Sequence, residues 1–92
     1  MTPEPKSHLI DFYGTECKFC IKLEPLLKRI EEELGVEIER IEIWHNEENK
    51  KLWKKMDDGF CGGVPLLINT KSGKKICGYA EYNKLKAWAE GE

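Results

Sequence analysis

Apolar and polar positions along the chain switch between two periods, and the switches mark the elements. Residues 8–13, His-Leu-Ile-Asp-Phe-Tyr, form a mostly apolar run that reads as a strand covered on both faces, with Asp11 the exception inside it. Gly14 and Thr15 break the run. From Cys17 the period becomes helical: Leu23, Leu27, Ile30 and Leu34 recur at i, i+4, i+7 and i+11, with Leu26 widening the stripe. Gly35 is placed to cap that helix, and Pro25 inside it predicts a kink one turn past the cysteines.

Residues 36–44 are rich in β-branched positions and predict a second strand. Its apolar phase slips between Ile38 and Ile41, which fits a strand buried on both faces or one carrying a bulge. Asn46 predicts an N-cap for a helix through Met56, with Leu52, Trp53 and Met56 inward and the lysines at 50, 51, 54 and 55 on the wet face. Residues 57–63 read as a loop. Residues 65–69 and 75–79 flank Ser72-Gly73 as a hairpin, and Tyr82, Leu85, Trp88 and Ala89 mark a last helix. The order is βαβαββα. It calls for an α/β fold, a mixed four-stranded sheet with helices on both faces, in a single domain over residues 1–92 with 1–7 expected to be flexible.

Composition narrows the function classes. A chain of 92 residues with 40% hydrophobic and 35% charged residues suits a globular domain rather than a disordered one. The formal net charge of -2 offers no basic footprint for nucleic acid. No apolar run approaches the ~18 residues of a membrane span. The first residues are polar and proline-bearing, unlike a signal or transit peptide, so the expected compartment is the cytoplasm and the expected state a monomer without nucleic-acid or membrane partners.

Four cysteines carry the candidate chemistry. Cys17 and Cys20 form a C-x-x-C between a strand and a helix, where unpaired amides and the helix dipole stabilise a thiolate. In that position the first, more exposed cysteine becomes the nucleophile, and the second, one turn in and more buried, resolves the mixed disulfide. Lys18 adds a positive charge beside Cys17. A zinc knuckle and a fortuitous reduced pair are the bland alternatives. Cys61 and Cys77 read as small buried hydrophobes, with a second disulfide or a regulatory thiol as the other reading. A Cys₄ metal or cluster site finds no support in the spacing, which matches neither zinc ribbons nor ferredoxin runs, so no metal is expected.

Residues 10–25, Ile-Asp-Phe-Tyr-Gly-Thr-Glu-Cys-Lys-Phe-Cys-Ile-Lys-Leu-Glu-Pro, resemble the active-site segment of the thioredoxin family. Gly63-Val64-Pro65 resembles that family's cis-proline loop, and the likeness spans residues 8–89 at the size of the shorter glutaredoxin core. The resemblance implies that Val64 and Pro65 face the C-x-x-C and offer backbone groups to an extended substrate. It also implies that Asp11 moves a proton to and from Cys20, and that Arg40, aligned with the family's lysine on the neighbouring strand, is its partner. An Asp facing water at a strand end is the plainer reading of Asp11. Tyr13, where the family has Trp, packs beside the pair or simply in the core. Glu16 stands where the family has Trp before the first cysteine, and Lys-Phe fills the inner dipeptide. Residues 77–81, Cys-Gly-Tyr-Ala-Glu, poorly match the glutaredoxin site for glutathione's charged end. His45 reads as a solvated loop histidine that could otherwise tune the thiolate, and His8 as structural.

The expected function is therefore a thiol–disulfide oxidoreductase that reduces protein disulfides through Cys17 and Cys20, with no cofactor beyond its own redox-active disulfide. The expected partners are disulfide-containing proteins, together with a thioredoxin-reductase-like enzyme or a low-molecular-weight thiol as electron donor. The alternatives are a glutathione-coupled glutaredoxin-like protein and, from another class, a non-catalytic metal- or partner-binding module of the same fold.

Overall fold

In a computed structural model of the chain, which describes residues 7–91, strand β1 (Leu9–Tyr13) sends alternate side chains into two apolar layers. Leu9 joins the layer built with helix α1 (Lys18–Leu34) and helix α3 (Tyr82–Glu90) through Leu23, Leu27, Ile30, Leu85 and Trp88. Ile10 and Phe12 join the opposite layer, under Leu52, Trp53 and Met56 of helix α2 (Glu47–Asp57). Each large apolar side chain buried this way contributes about 1.5–3 kcal/mol. Helices thus cover both faces, as the strand–helix alternation requires.

Strand β2 (Ile38–Glu42) runs parallel to β1, with Leu9 opposite Ile38 and Asp11 opposite Arg40. The slip in its apolar phase has a simple cause. Ile38 faces the α1–α3 layer, while Ile41 and Ile43 face the α2 layer, and the pairing register runs unbroken. Two-sided burial explains the pattern, and no bulge is needed. Strands β3 (Leu66–Asn69) and β4 (Lys75–Cys77) form the antiparallel hairpin, giving a mixed sheet in the order β2-β1-β3-β4.

The helix ends follow their sequence signals. Asn46 caps α2 by accepting the Asn49 amide at 3.0 Å, with Glu47 and Glu48 in the first turn and Lys54 and Lys55 in the last, the charge order that complements the helix dipole. Gly35 takes the left-handed conformation past α1, at φ 64°, and donates to the Glu31 carbonyl. Of the N-terminal stretch expected to be flexible, only Ser7 is among the described residues; its hydroxyl donates to the Glu37 carbonyl at 2.6 Å. No described helix is long and apolar enough to cross a membrane.

Candidate active site

The carboxyl ends of β1 and β2 lie side by side, with Tyr13 opposite Glu42. Sequence reasoning passed over Glu42, yet it organises the turn that follows. One carboxylate oxygen accepts from the Thr15 amide at 2.9 Å and its hydroxyl at 3.1 Å, and the other accepts from the His45 amide at 2.8 Å. The Trp44 ring covers Gly14 so closely that a Cβ there would collide with the indole. A pinned, glycine-dependent turn therefore delivers the chain to Cys17.

Cys17 is the N-cap residue of α1, and its Sγ accepts the Cys20 amide at 3.2 Å. A thiolate at this position would meet the unpaired amides of the first turn and the positive end of the helix dipole. Cys17 and Cys20 are joined as a disulfide, with Cα atoms 5.2 Å apart. Exposure does not separate their roles, contrary to the expectation of a more accessible first cysteine: Cys17 is 6% exposed and Cys20 5%. What differs is the surroundings. Cys17 Sγ lies 3.9 Å from the Val64 carbonyl oxygen, next to the cis Val64–Pro65 peptide bond, whereas Cys20 lines a cleft of about 610 Å³ behind the pair. Lys18 is exposed in the first turn of α1, as are Phe19 and Ile21 on the same helix, and Trp44 over Gly14 is a further large exposed apolar side chain.

The cleft also contains Asp11, Tyr13, Glu24, Lys28 and Arg40. Asp11 is only 1% exposed and its Oδ1 has no hydrogen-bond partner among the described residues. The reading of it as a strand-end acid facing water is thereby overturned. Burial, reinforced by the nearby Glu24 charge and opposed by Arg40, pushes its carboxyl from 3.8 up to about 7. The expected Asp11–Arg40 pair does not form. Arg40 instead places Nη2 2.8 Å from Glu24 and Nη1 2.7 Å from Glu31, and Nη1 also donates to the Ile38 carbonyl. Two carboxylates on α1 outcompete the one across the strand, leaving Asp11 unpaired. Glu24 and Glu31 stand seven residues apart on one face of the helix, which lets both reach the same guanidinium once α1 packs beside β2.

Tyr13 is half-buried at the cleft wall. His45, exposed, pairs its Nε2 with Glu16 at 2.7 Å, and that hydrogen bond raises its pKa. The sequence position of Glu16, directly before Cys17, thus brings a charged pair to the rim rather than an aromatic ring.

Cys61 and Cys77 correct the expectation of two buried hydrophobes. They form a second disulfide, Cα atoms 5.4 Å apart, with Cys77 exposed on β4 and Cys61 half-buried in the loop before Val64. Asp57, another residue the sequence reading missed, is buried at the end of α2. It accepts the Cys61 amide at 2.7 Å and the Gly62 amide at 2.8 Å.

Three comparisons with known proteins bear on this geometry. No protein-family model matches the chain, and no curated protein does. Solved structures do. A glutaredoxin from Archaeoglobus fulgidus superposes with a TM-score of 0.69 at 26% identity, over 91% of this chain and 87% of that one. A mutant of a thioredoxin-like protein gives 0.66 at 15% identity, over 92% and 97%. A buckwheat glutaredoxin in complex with glutathione gives 0.54 at 21% identity, over 80% and 63%. The fold is thioredoxin-like, at glutaredoxin size, and with the C-x-x-C pair it supports a role in thiol redox chemistry.

Proposed function

We propose that the chain is a thiol–disulfide oxidoreductase that reduces protein disulfides. The observation that carries this reading is the place of Cys17 at the N-cap of α1, its sulfur accepting the Cys20 amide. In the reduced protein Cys17 attacks a substrate disulfide as a thiolate, forming a mixed disulfide and expelling one substrate thiolate. Cys20 then gives up its proton and attacks Cys17 Sγ, which releases the second substrate thiolate and closes the Cys17–Cys20 disulfide. Asp11, with a carboxyl pushed up to about 7, stands near neutrality and accepts that proton within the shared cleft. Val64 and Pro65 hold the substrate backbone beside Cys17. The exposed Phe19, Ile21 and Trp44 favour a protein over a small polar disulfide.

A dithiol or a flavoprotein dithiol serves as electron donor in this reading. The likeness to glutaredoxins, one of them in complex with glutathione, favours glutathione as the second candidate. Insulin reduction driven by dithiothreitol tests the main reading: the parent accelerates it, and Cys17→Ser brings it to the uncatalysed rate. Equal rates for the two proteins would refute it. Rapid turnover in a glutathione-coupled hydroxyethyl disulfide assay would move the donor to glutathione.

A further inference from the structure

The Cys61–Cys77 disulfide lies outside the chemistry just described, yet it closes on the segment that carries Val64 and Pro65. Its two ends are unlike. Cys77 is exposed on β4, open to an incoming thiolate, whereas Cys61 packs partly against the α2 layer beside Val64. Both ends are also held without the sulfur bridge. Asp57 grips the Cys61 and Gly62 amides, and the Gly78 amide donates to the Pro65 carbonyl at 2.8 Å. Opening the bridge would therefore leave the two sulfurs near each other and able to close again. Lys75, two residues from Cys77 on the same face of β4, donates to the Met56 carbonyl at 2.9 Å and lies 5.7 Å from the Phe60 ring. Lys75 thereby ties β4 to the end of α2 and the start of the Cys61 loop independently of the sulfur bridge.

We propose that Cys61–Cys77 is a second exchangeable disulfide, a site that oxidises an external dithiol. A thiolate of the dithiol attacks Cys77 Sγ, forms a mixed disulfide, and expels Cys61 as a thiolate that takes up a proton. The dithiol's second sulfur, deprotonated, attacks its own partner sulfur in that mixed disulfide and expels Cys77, which is protonated in turn. Two electrons and two protons pass to the protein, and the dithiol leaves as a disulfide. A fully oxidised chain then accepts four electrons, two at each pair. Opening the second pair also frees the Val64 loop from its covalent tie to β4.

The test uses the Cys17→Ser/Cys20→Ser protein, which isolates the second pair from the first and from the function proposed above. Dithiothreitol is added in native buffer, the thiols are alkylated, and the sites are mapped. The expected result is alkylation of Cys77 and Cys61 with the native circular dichroism retained, and reclosure on adding oxidised dithiothreitol. The parent protein provides the second measurement, with four alkyl groups per chain after reduction. A pair that opens only in denaturant, or whose opening unfolds the chain, would overturn the proposal and make the bridge a structural staple. In the parent, two alkyl groups rather than four would overturn it as well.

Discussion

The two faces of β1 solve the same packing problem differently. Toward α2, Ile10 and Phe12 are fully buried among apolar neighbours, and no polar side chain interrupts the layer at β1. Toward α1, the same strand presents Leu9, then Asp11, then Tyr13, and the apolar layer gives way to a cleft lined by charged groups. A buried carboxyl oxygen with no hydrogen-bond partner among the described residues is unfavourable, and packing gives no reason for it. The α2 side of β1 is thus apolar throughout, whereas the α1 side combines the apolar core around Leu9 with a buried carboxylate behind Cys20.

The largest effect expected from this contrast comes from the apolar face. Phe12→Ala should lower unfolding free energy by about 3–5 kcal/mol, because a large cavity opens in a layer that cannot collapse around it. The loss should be the same across pH, since no titrating group changes; a strongly pH-dependent loss in denaturant melts would contradict it.

Asp11→Asn should do the reverse. The folded-state pKa of about 7 stands above the ordinary 3.8, so the folded protein binds the extra proton between those values. Stability of the parent falls as pH rises through that window and levels off above it. The variant should therefore be more stable than the parent near pH 8, by up to roughly 4 kcal/mol at about 1.36 kcal/mol per pKa unit, and the gap should close toward pH 4. A gap that does not narrow on acidification would place the carboxyl pKa in its ordinary range. The same substitution should slow attack by Cys20 on the mixed disulfide near neutral pH, with partial recovery at higher pH. General-base assistance is worth about 10²–10⁴-fold at full strength, and less for a thiol that already ionises near neutrality.

Glu24→Gln should give the smallest change. Removing the Glu24 charge takes away the second cause of Asp11's raised pKa and leaves Arg40 as the nearby charge that lowers it. Carboxyl chemical shifts followed through a pH titration should show Asp11 titrating below about 7. An unmoved midpoint would mean that burial alone sets it. Stability should change little, since Arg40 keeps its pair with Glu31 and a partly exposed ion pair is worth about 1 kcal/mol or less.

Much of this was legible in the sequence because it is local. The helix stripe of Leu23, Leu27 and Ile30, the Asn46 and Gly35 caps, the hairpin around Ser72-Gly73 and the C-x-x-C at a helix start each depend on neighbours a few residues away. What the sequence hid depends on competition across the fold. Arg40 could be paired correctly only by knowing that α1 brings Glu24 and Glu31 within reach as well as Asp11. Cys61 and Cys77 looked like isolated small residues until the hairpin folded back on the loop after α2. Glu42 and Asp57 act by accepting backbone amides, and any acid near a turn carries the same sequence signature.

The division of labour between Cys17 and Cys20 can be read from a single trapping experiment. Reduced parent and reduced Cys20→Ser are each mixed with a disulfide-bonded protein, quenched with acid, and analysed by intact mass and peptide mapping. A mixed disulfide should accumulate on Cys17 of the Cys20→Ser protein and be cleared by the parent, which ends with Cys17 and Cys20 joined. A Cys20→Ser protein whose Cys17 forms no adduct, or a parent that accumulates the Cys17 adduct as the variant does, would contradict it.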